Sequence, residues 1–176
     1  TAIADVIERA RRELERGAHG NRLPPRDGEL LARSIGREAS PGGRELVDPH
    51  DWYRSVARIL LEIARTLEAA HGRKVVHRDL KPANVMLLGG GAPVVLDFGL
   101  AGSPDLSKGS VTEGLYGSVA YLAPEQAKSQ RVGMDVRTDV YQLGLILYEL
   151  LTLRRAFPGT AIGAVLEKIE HGDYTL

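Results

Sequence analysis

Apolar residues recur at spacings of three and four along three stretches of the chain, and this periodicity predicts three amphipathic helices. The first covers residues 3–16, the second residues 52–71 and the third residues 161–171. Gly72 follows the second stretch directly and is expected to end that helix. Either Asp48 or Asp51 is its expected N-cap, because a short acidic side chain accepts hydrogen bonds from the first free backbone N–H groups.

A fourth stretch, residues 139–153, is apolar on nearly every side, which predicts a buried helix. Its longest apolar run is interrupted by Glu149 and is far shorter than the roughly 20 residues that a membrane-spanning helix needs. The pattern therefore predicts a core helix and no membrane segment in this chain.

Short apolar runs between the second and fourth helices predict strands. These runs are Val75–Val76, residues 85–88 and residues 93–96. Three consecutive glycines separate the last two runs, and they predict a turn because glycine adopts the positive φ that tight turns need. The expected hairpin delivers Asp97 at its exit.

Two stretches lack periodicity and predict loops. Residues 17–50 are rich in Gly, Pro, Arg and Asp, and we expect a connector there with one helical turn near residues 30–35. Residues 100–120 are rich in Gly, Ser and Thr and are long enough to predict a functional loop.

Composition excludes several classes of function. Lys plus Arg equals Asp plus Glu at 23 each, so bulk charge does not indicate binding to nucleic acid or to a membrane surface. The sequence contains no cysteine, which excludes a disulfide framework, a thiolate metal site and a cysteine nucleophile. We expect a cytoplasmic location for this chain and leave open a membrane anchor elsewhere in the protein.

The candidate chemistry lies in three short strings. Residues 77–84 read His-Arg-Asp-Leu-Lys-Pro-Ala-Asn; Asp-Phe-Gly begins at Asp97, and Ala-Pro-Glu ends at Glu125. Each string alone is a weak signal, but the three in this order are specific. Asp79 can accept the proton of a hydroxyl, while Asn84 and Asp97 can hold magnesium ions beside a transferring phosphoryl group. Together the strings resemble the eukaryotic-like (bacterial Hanks-type) serine/threonine protein kinases.

The resemblance implies MgATP as cofactor, with manganese as an alternative ion, and protein Ser/Thr hydroxyls as acceptors. It assigns Asp79 as the base that orients the hydroxyl, and Lys81 as the cation that reaches the γ-phosphate. Asn84 and Asp97 would ligate the metal, because magnesium prefers hard oxygen donors. Met86 would form the floor beneath adenine, and its plain alternative is a core position in a strand.

The resemblance also implies structural roles. His77 and Phe98 would stack in the apolar column that aligns active kinases. Asp139 would anchor the backbone of the His-Arg-Asp loop, or simply cap the fourth helix. Glu125 is expected to lack the arginine that usually pairs with it.

Regulation would involve the activation segment, residues 97–125. Ser110 and Thr112 fall where related bacterial kinases carry phosphoacceptors, and ordinary loop hydroxyls are the alternative. Arg78 could pair with a phosphate there. Ser118 is expected to hydrogen-bond to Asp79 or Lys81.

The implied fold class is α+β and mainly helical, a kinase-like C-lobe with short β-hairpins that carry the catalytic loop. Residues 1–16 resemble the helix after the lobe hinge, residues 17–50 an insertion, and residues 51–176 the C-lobe, truncated before its last helices. No Gly-rich phosphate loop or strand lysine precedes Asp79. We therefore expect the isolated chain to be poorly active without an N-lobe in cis or a partner in trans, and to expose apolar faces.

Two alternatives compete with the protein kinase interpretation. A non-catalytic kinase-like docking module would bind partners without transfer, and degraded motifs would favour it, but the motif residues are intact. A small-molecule kinase similar to aminoglycoside or choline kinases would share the Asp and Asn arrangement. The Lys-Pro pair at Lys81, the Asp-Phe-Gly string and the Ala-Pro-Glu string all favour a protein substrate.

Overall fold

The computed structural model describes residues 1–16, 28–35, 45–98, 118–128 and 134–175. Helices dominate these ranges, and one two-stranded sheet accompanies them, so the mainly helical prediction is confirmed. In chain order the elements are α1 (Ile3–Arg16), α2 (Glu29–Ile35), α3 (Trp52–His71), β1 (Val85–Leu87), β2 (Pro93–Val95), α4 (Pro124–Ala127), α5 (Val136–Thr152) and α6 (Ile162–His171).

Helices α3 and α5 pack against each other at the centre of the molecule. Trp52 is fully buried at the start of α3, and its indole Nε1 donates a hydrogen bond of 3.0 Å to the carbonyl oxygen of Leu150 near the end of α5. Asp51 is the N-cap of α3 and accepts from the backbone N–H of Arg54, which decides between the two candidates. A buried aromatic ring and a satisfied donor thus fix the two helices relative to each other.

The hairpin β1–β2 is antiparallel and packs on α3. Val85 faces Val95, and Met86 faces Val94. On the other side of β1, Ala2 pairs with Met86, and the backbone N–H of Leu87 donates to the carbonyl oxygen of Thr1 at 2.7 Å. The start of the chain therefore covers the outer edge of β1.

Parts of the predicted connector are packed into the core. In α2, Leu30 and Leu31 are buried, and Gly28 just before it crosses residues 48–51 so closely that a Cβ on Gly28 would lie 2.0 Å from the carbonyl oxygen of Asp48. The backbone N–H of Gly28 donates to the carbonyl oxygen of Pro49 at 2.8 Å. Only glycine fits at this crossing.

A separate apolar cluster lies around α6 and the stretch before α4. It combines Val165 and Ile169 of α6 with residues 119–122 and Phe157. Because residues 118–128 carry the Ala-Pro-Glu string, this cluster supports one wall of the region that the sequence singles out.

Three predicted details are wrong. Val75–Val76 is not a strand: the backbone N–H of Val75 bonds to the carbonyl oxygen of Ala70 and finishes the turn after α3, where Lys74 adopts a positive φ of 61°. Helix α5 begins at Val136 with Asp135 as its N-cap, so Asp139 lies one turn inside the helix and caps nothing.

The third wrong prediction is that α5 would be buried on all sides. Val140 is 61% exposed and Leu147 is 37% exposed, so one face of α5 is apolar and open, in agreement with the expectation of exposed apolar faces. The predicted strands of residues 85–88 and 93–96 are each one residue shorter in the structure.

Candidate active site

A single buried carboxylate positions the candidate catalytic loop. Asp139, at the end of the first turn of α5, is fully buried and accepts from the backbone N–H groups of His77 at 2.9 Å and Arg78 at 2.7 Å. The imidazole Nε2 of His71, the last residue of α3, lies 2.7 Å from the same carboxylate. The anchoring contact predicted for Asp139 is therefore present, and the loop is tied to both central helices.

His77 takes a defined tautomer. Its Nδ1 accepts from the backbone N–H of Asp79 at 3.2 Å, and its Nε2 lies 2.7 Å from the carbonyl oxygen of Leu96. Because an N–H can only donate and a carbonyl can only accept, the proton sits on Nε2. The ring meets Phe98 edge-on with centroids 4.9 Å apart, so His77 and Phe98 are in contact as expected, but edge to face and not stacked.

The carboxylate of Asp79 is held on one side only. Its Oδ2 accepts from Lys81 Nζ at 2.8 Å and from Asn84 Nδ2 at 3.2 Å, and the same Asn84 amide donates to the Asp79 carbonyl oxygen at 2.8 Å. Within the ranges that the structure describes, Asp79 Oδ1 accepts no hydrogen bond. One carboxylate oxygen is thus fixed and the other is available.

Lys81 links the loop of residues 77–84 to the segment that begins at Ser118. Its Nζ donates to Ser118 Oγ at 3.0 Å as well as to Asp79. The predicted contact of Ser118 with Lys81 is present. The ammonium group therefore sits between the two segments that carry the His-Arg-Asp and Ala-Pro-Glu strings.

Asn84 and Asp97 are neighbours through the backbone. The N–H of Leu96 donates to the carbonyl oxygen of Asn84 at 2.9 Å, which brings the residue after Leu96 beside Asn84. The Asn84 amide points its NH₂ group at Asp79, so its Oδ1 faces the other way and accepts from no described residue. Asp97 is exposed. An amide oxygen and an open carboxylate match the donor set that a hard divalent cation takes.

The backbone is strained at both ends of the site. Arg78 and Asp97 adopt positive φ angles of 68° and 60°, a conformation that non-glycine residues rarely take. Such residues persist only where the surrounding structure enforces them, and they cluster at functional sites. The Asp139 carboxylate provides that enforcement at Arg78.

The other predicted site residues have mixed outcomes. Met86 is half-buried in the middle of β1. Glu125 was expected to lack its usual arginine partner. In the structure its carboxylate accepts a hydrogen bond of 2.5 Å from Thr138 Oγ1, a donor that this expectation did not include. Ser110 and Thr112, the predicted phosphoacceptors, lie outside the described residues, and Arg78 is exposed.

A buried ionic group supports the wall behind Ser118. Glu149 of α5 accepts from the Tyr121 hydroxyl through one oxygen and from Arg11 of α1 through the other. Burial raises the pKa of the Tyr121 phenol well above its ordinary value, and the adjacent Glu149 carboxylate raises that pKa further. Tyr121 therefore stays protonated and donates to Glu149.

Sequence reasoning missed Gln126 and Gln142, which contact the loop of residues 77–84, and His71, which contacts the Asp139 carboxylate that holds this loop. Of these three, only Gln142 stood out in the sequence, because it is an uncharged polar residue inside an apolar helix. His71 looked like an ordinary helix end, and Gln126 looked like part of the Ala-Pro-Glu surroundings.

Comparison with known proteins agrees with this geometry. The model of the protein kinase domain matches residues 48–172, which is most of the chain and includes every described residue of the candidate site. The chain belongs to the protein kinase family. Within the described residues, no helix is both long and apolar enough to cross a membrane.

Similar curated kinases are bacterial serine/threonine kinases. Serine/threonine-protein kinase PkaA of Streptomyces coelicolor is 40% identical over 179 residues, covering 93% of this chain and 32% of the relative. A probable serine/threonine-protein kinase of the same organism is 40% identical over 139 residues, covering 78% of this chain and 20% of the relative. Serine/threonine-protein kinase PknB of Mycolicibacterium smegmatis is 40% identical over 114 residues, covering 64% and 18%. The chain thus spans about a third or less of the length of these kinases.

Proposed function

We propose that this kinase-family chain is the catalytic C-lobe of a bacterial enzyme that transfers the γ-phosphate of MgATP to serine or threonine hydroxyls of proteins. The observation that carries the proposal is the half-held carboxylate of Asp79. Lys81 and Asn84 fix Oδ2, while Oδ1 accepts nothing from the described residues. A base that orients a substrate hydroxyl needs this arrangement, because one oxygen must be rigid and the other must be free to accept.

In this proposal each side chain has one task. Asp79 Oδ1 accepts the hydrogen bond of the acceptor hydroxyl and then its proton. Lys81, already shared between Asp79 and Ser118, supplies positive charge where negative charge develops on the phosphoryl group. Phosphoryl transfer offers little covalent work to a protein, so positioning and charge account for most of the catalysis.

Asn84 and Asp97 are proposed to hold the metal, and Met86 to contact the base of the nucleotide. Magnesium, when bound with ATP, neutralises charge on the phosphate oxygens. The orientation of the Asn84 amide supports this assignment, since its NH₂ group is occupied by Asp79 and its oxygen is left for a cation. Manganese would accept the same oxygen donors.

Arg78, Ser110 and Thr112 are proposed to regulate transfer. The Arg78 side chain is exposed beside the catalytic Asp79, and its guanidinium could bind a phosphate on the activation segment in a bidentate way. A phosphate carries about −1.5 to −2 charges at neutral pH, enough to order a loop against an arginine.

We propose the same division of the chain as the sequence indicates: a helix of residues 1–16, an insertion of residues 17–50 and the lobe of residues 51–176. Nucleotide binding is then completed by another part of the protein or by a partner. Protein substrates with Ser or Thr acceptors are the proposed partners.

The test is phosphate transfer from radiolabelled ATP to a generic protein acceptor by the full-length protein that contains this chain. Asp79→Asn should lower kcat by about 10²–10⁴-fold, the range of general-base catalysis, with MgATP affinity retained. Asp173→Asn is the matched control, since Asp173 is exposed near the end of α6.

Unchanged transfer by Asp79→Asn would contradict the proposal. Partner binding by the wild-type protein without transfer would favour the docking module. Transfer to aminoglycosides or choline, but not to proteins, would favour a small-molecule kinase.

A further inference from the structure

Two buried glutamines connect the catalytic loop to the Ala-Pro-Glu segment. Gln142, in the middle of α5, is 1% exposed, and Gln126 of α4 is 7% exposed. Burial of an amide is costly unless its polar atoms are satisfied. Both side chains are therefore expected to have specific partners, and the structure shows what these are.

The Gln142 amide can take only one orientation. Its Oε1 accepts from the backbone N–H of Leu80 at 2.9 Å, and its Nε2 lies 3.2 Å from the carbonyl oxygens of both Arg78 and Tyr121. A backbone N–H can only donate and carbonyls can only accept, so a flipped amide would leave all three groups opposed. Gln142 thus joins α5, the catalytic loop and the stretch that follows Ser118.

Gln126 closes the network. Its Oε1 accepts from the backbone N–H of Ala123 at 2.9 Å and from Gln142 Nε2 at 3.0 Å. Its Nε2 donates to the carbonyl oxygen of Arg78 at 2.7 Å. The carbonyl oxygen of Arg78 therefore accepts hydrogen bonds from both glutamine side chains. Arg78 is also the residue whose φ of 68° needs external support.

We propose that Gln126 and Gln142 are positioning residues that hold the strained loop of Arg78–Leu80 and the 121–126 segment as one rigid unit. This inference rests on the proposed function, because the unit carries Asp79 on one side and the Ser118–Leu122 stretch on the other. The proton acceptor and the surface that faces the protein substrate would then move together. Lys81 reaches from the first part to Ser118 on the second and would lose that geometry if they shifted apart.

The experiment is a double-mutant cycle with Gln126→Leu, Gln142→Leu and the pair, made in the full-length protein. Two readouts are taken: kinetics of protein phosphorylation, and hydrogen exchange at the backbone amides of Leu80 and Ala123. We expect each single variant to lower kcat about tenfold or more, because small misplacements of catalytic groups are costly. The KM for MgATP should change less than about twofold.

The double variant should be about as slow as the worse single one, because both changes break one network. Gln142→Leu should speed exchange at Leu80, and Gln126→Leu should speed exchange at Ala123. Leu31→Ala is the control: Leu31 is buried in α2 and is not part of the glutamine hydrogen-bond network, so this change should lower stability and leave that network in place.

The inference would be overturned if either exchange rate stayed unchanged, if the two kcat losses multiplied, or if Leu31→Ala lowered kcat equally. If Gln142→Leu does not fold, Gln126→Leu alone decides through the Ala123 amide and kcat. A wild-type protein that transfers no phosphate would contradict the proposed function, whereas the exchange rates would still test the glutamine network.

Discussion

Arg11 of α1 forms an ion pair with Glu149 of α5 across 138 positions of sequence, with 2.5 Å between Nη2 and Oε1. The Glu149 side chain is only 3% exposed, and that of Arg11 is 30% exposed. A buried carboxylate that loses its cation has little water to replace it. Helix α1 is therefore held to α5 by charge as well as by apolar packing.

Arg11→Met should destabilise the protein by about 3 kcal/mol, because it leaves the Glu149 carboxylate buried with the Tyr121 hydroxyl as its one remaining donor among the described residues. Arg12→Met is the matched control on the same helix. Arg12 pairs with Glu8 on the surface, so its replacement should cost less than about 0.5 kcal/mol. Urea denaturation measures the free energy of unfolding of both variants. Equal losses would mean that the buried pair contributes no more stability than the surface pair.

Tyr121 should make the stability of the protein depend on alkaline pH. Burial and Glu149 raise the pKa of its phenol in the folded state, so the folded protein keeps a proton that the unfolded chain releases near pH 10. The stabilising effect is complete below about pH 10 and is lost as the pH rises further.

Tyr121→Phe should therefore show a shallower fall in unfolding free energy above about pH 10 than the wild type, despite lower stability at pH 8. The difference in phenolate absorbance between the wild type and Tyr121→Phe gives a second check. If this difference already appears near pH 10, the ordinary value for a tyrosine, the raised pKa of Tyr121 is refuted.

Asp139→Asn should disrupt the catalytic loop. The amide offers one acceptor oxygen where the carboxylate serves the N–H groups of His77 and Arg78, so at least one buried donor loses its partner. We expect a loss of about 2–3 kcal/mol in stability and a larger fractional loss in kcat than in MgATP affinity.

Asp135→Asn on the same helix is the control for that change. Asp135 is an exposed N-cap, and asparagine caps helices about as well, so stability and kcat should stay close to wild type. Thermal unfolding and phosphorylation kinetics of the two variants make the comparison. Equal effects would show that Asp139 does not anchor the loop.

Asp97→Asn should weaken magnesium-dependent nucleotide binding. Asp97 is exposed and forms no hydrogen bond or ion pair with a described side chain, so its replacement should leave thermal stability unchanged while MgATP affinity falls tenfold or more at limiting magnesium. Calorimetric titration of ATP at several magnesium concentrations measures this. Asp173→Asn should bind as the wild type does, and an Asp97→Asn protein with wild-type magnesium dependence would remove Asp97 from the metal site.

The sequence predicted those features that depend on local pattern. The bounds of α1 and α3 follow from periodicity and glycine ends, and the hairpin follows from two apolar runs around three glycines. The start of α5 did not follow, because Asp135 and Asp139 are both acidic residues in suitable places. The extended backbone of Asp135 and the hydrogen bond that its side chain accepts from the backbone N–H of Arg137 identify it as the cap.

Long-range pairs explain most of what pattern could not predict. Glu149 stands out because it interrupts an apolar run, but nothing in the sequence indicates Arg11 as its partner, and Thr138 is not an obvious donor for Glu125. The roles of Asp79, Asn84 and Asp97 were suggested by their strings, whereas the orientation of the Asn84 amide appears only once Asp79 lies beside it.

The contacts of Asp139 also set the order in which this site can form. Its carboxylate joins His71, His77 and Arg78, which lie 68, 62 and 61 positions before it in the chain. During synthesis, residues 77–84 are complete long before α5 has left the ribosome. Until then, the Asp139 carboxylate is not available to fix the strained turn at Arg78. Contacts between distant residues are slow to form because the intervening chain must close first. The proposed phosphotransfer activity should therefore appear late in folding, so that a nascent or partly folded chain does not yet transfer phosphate.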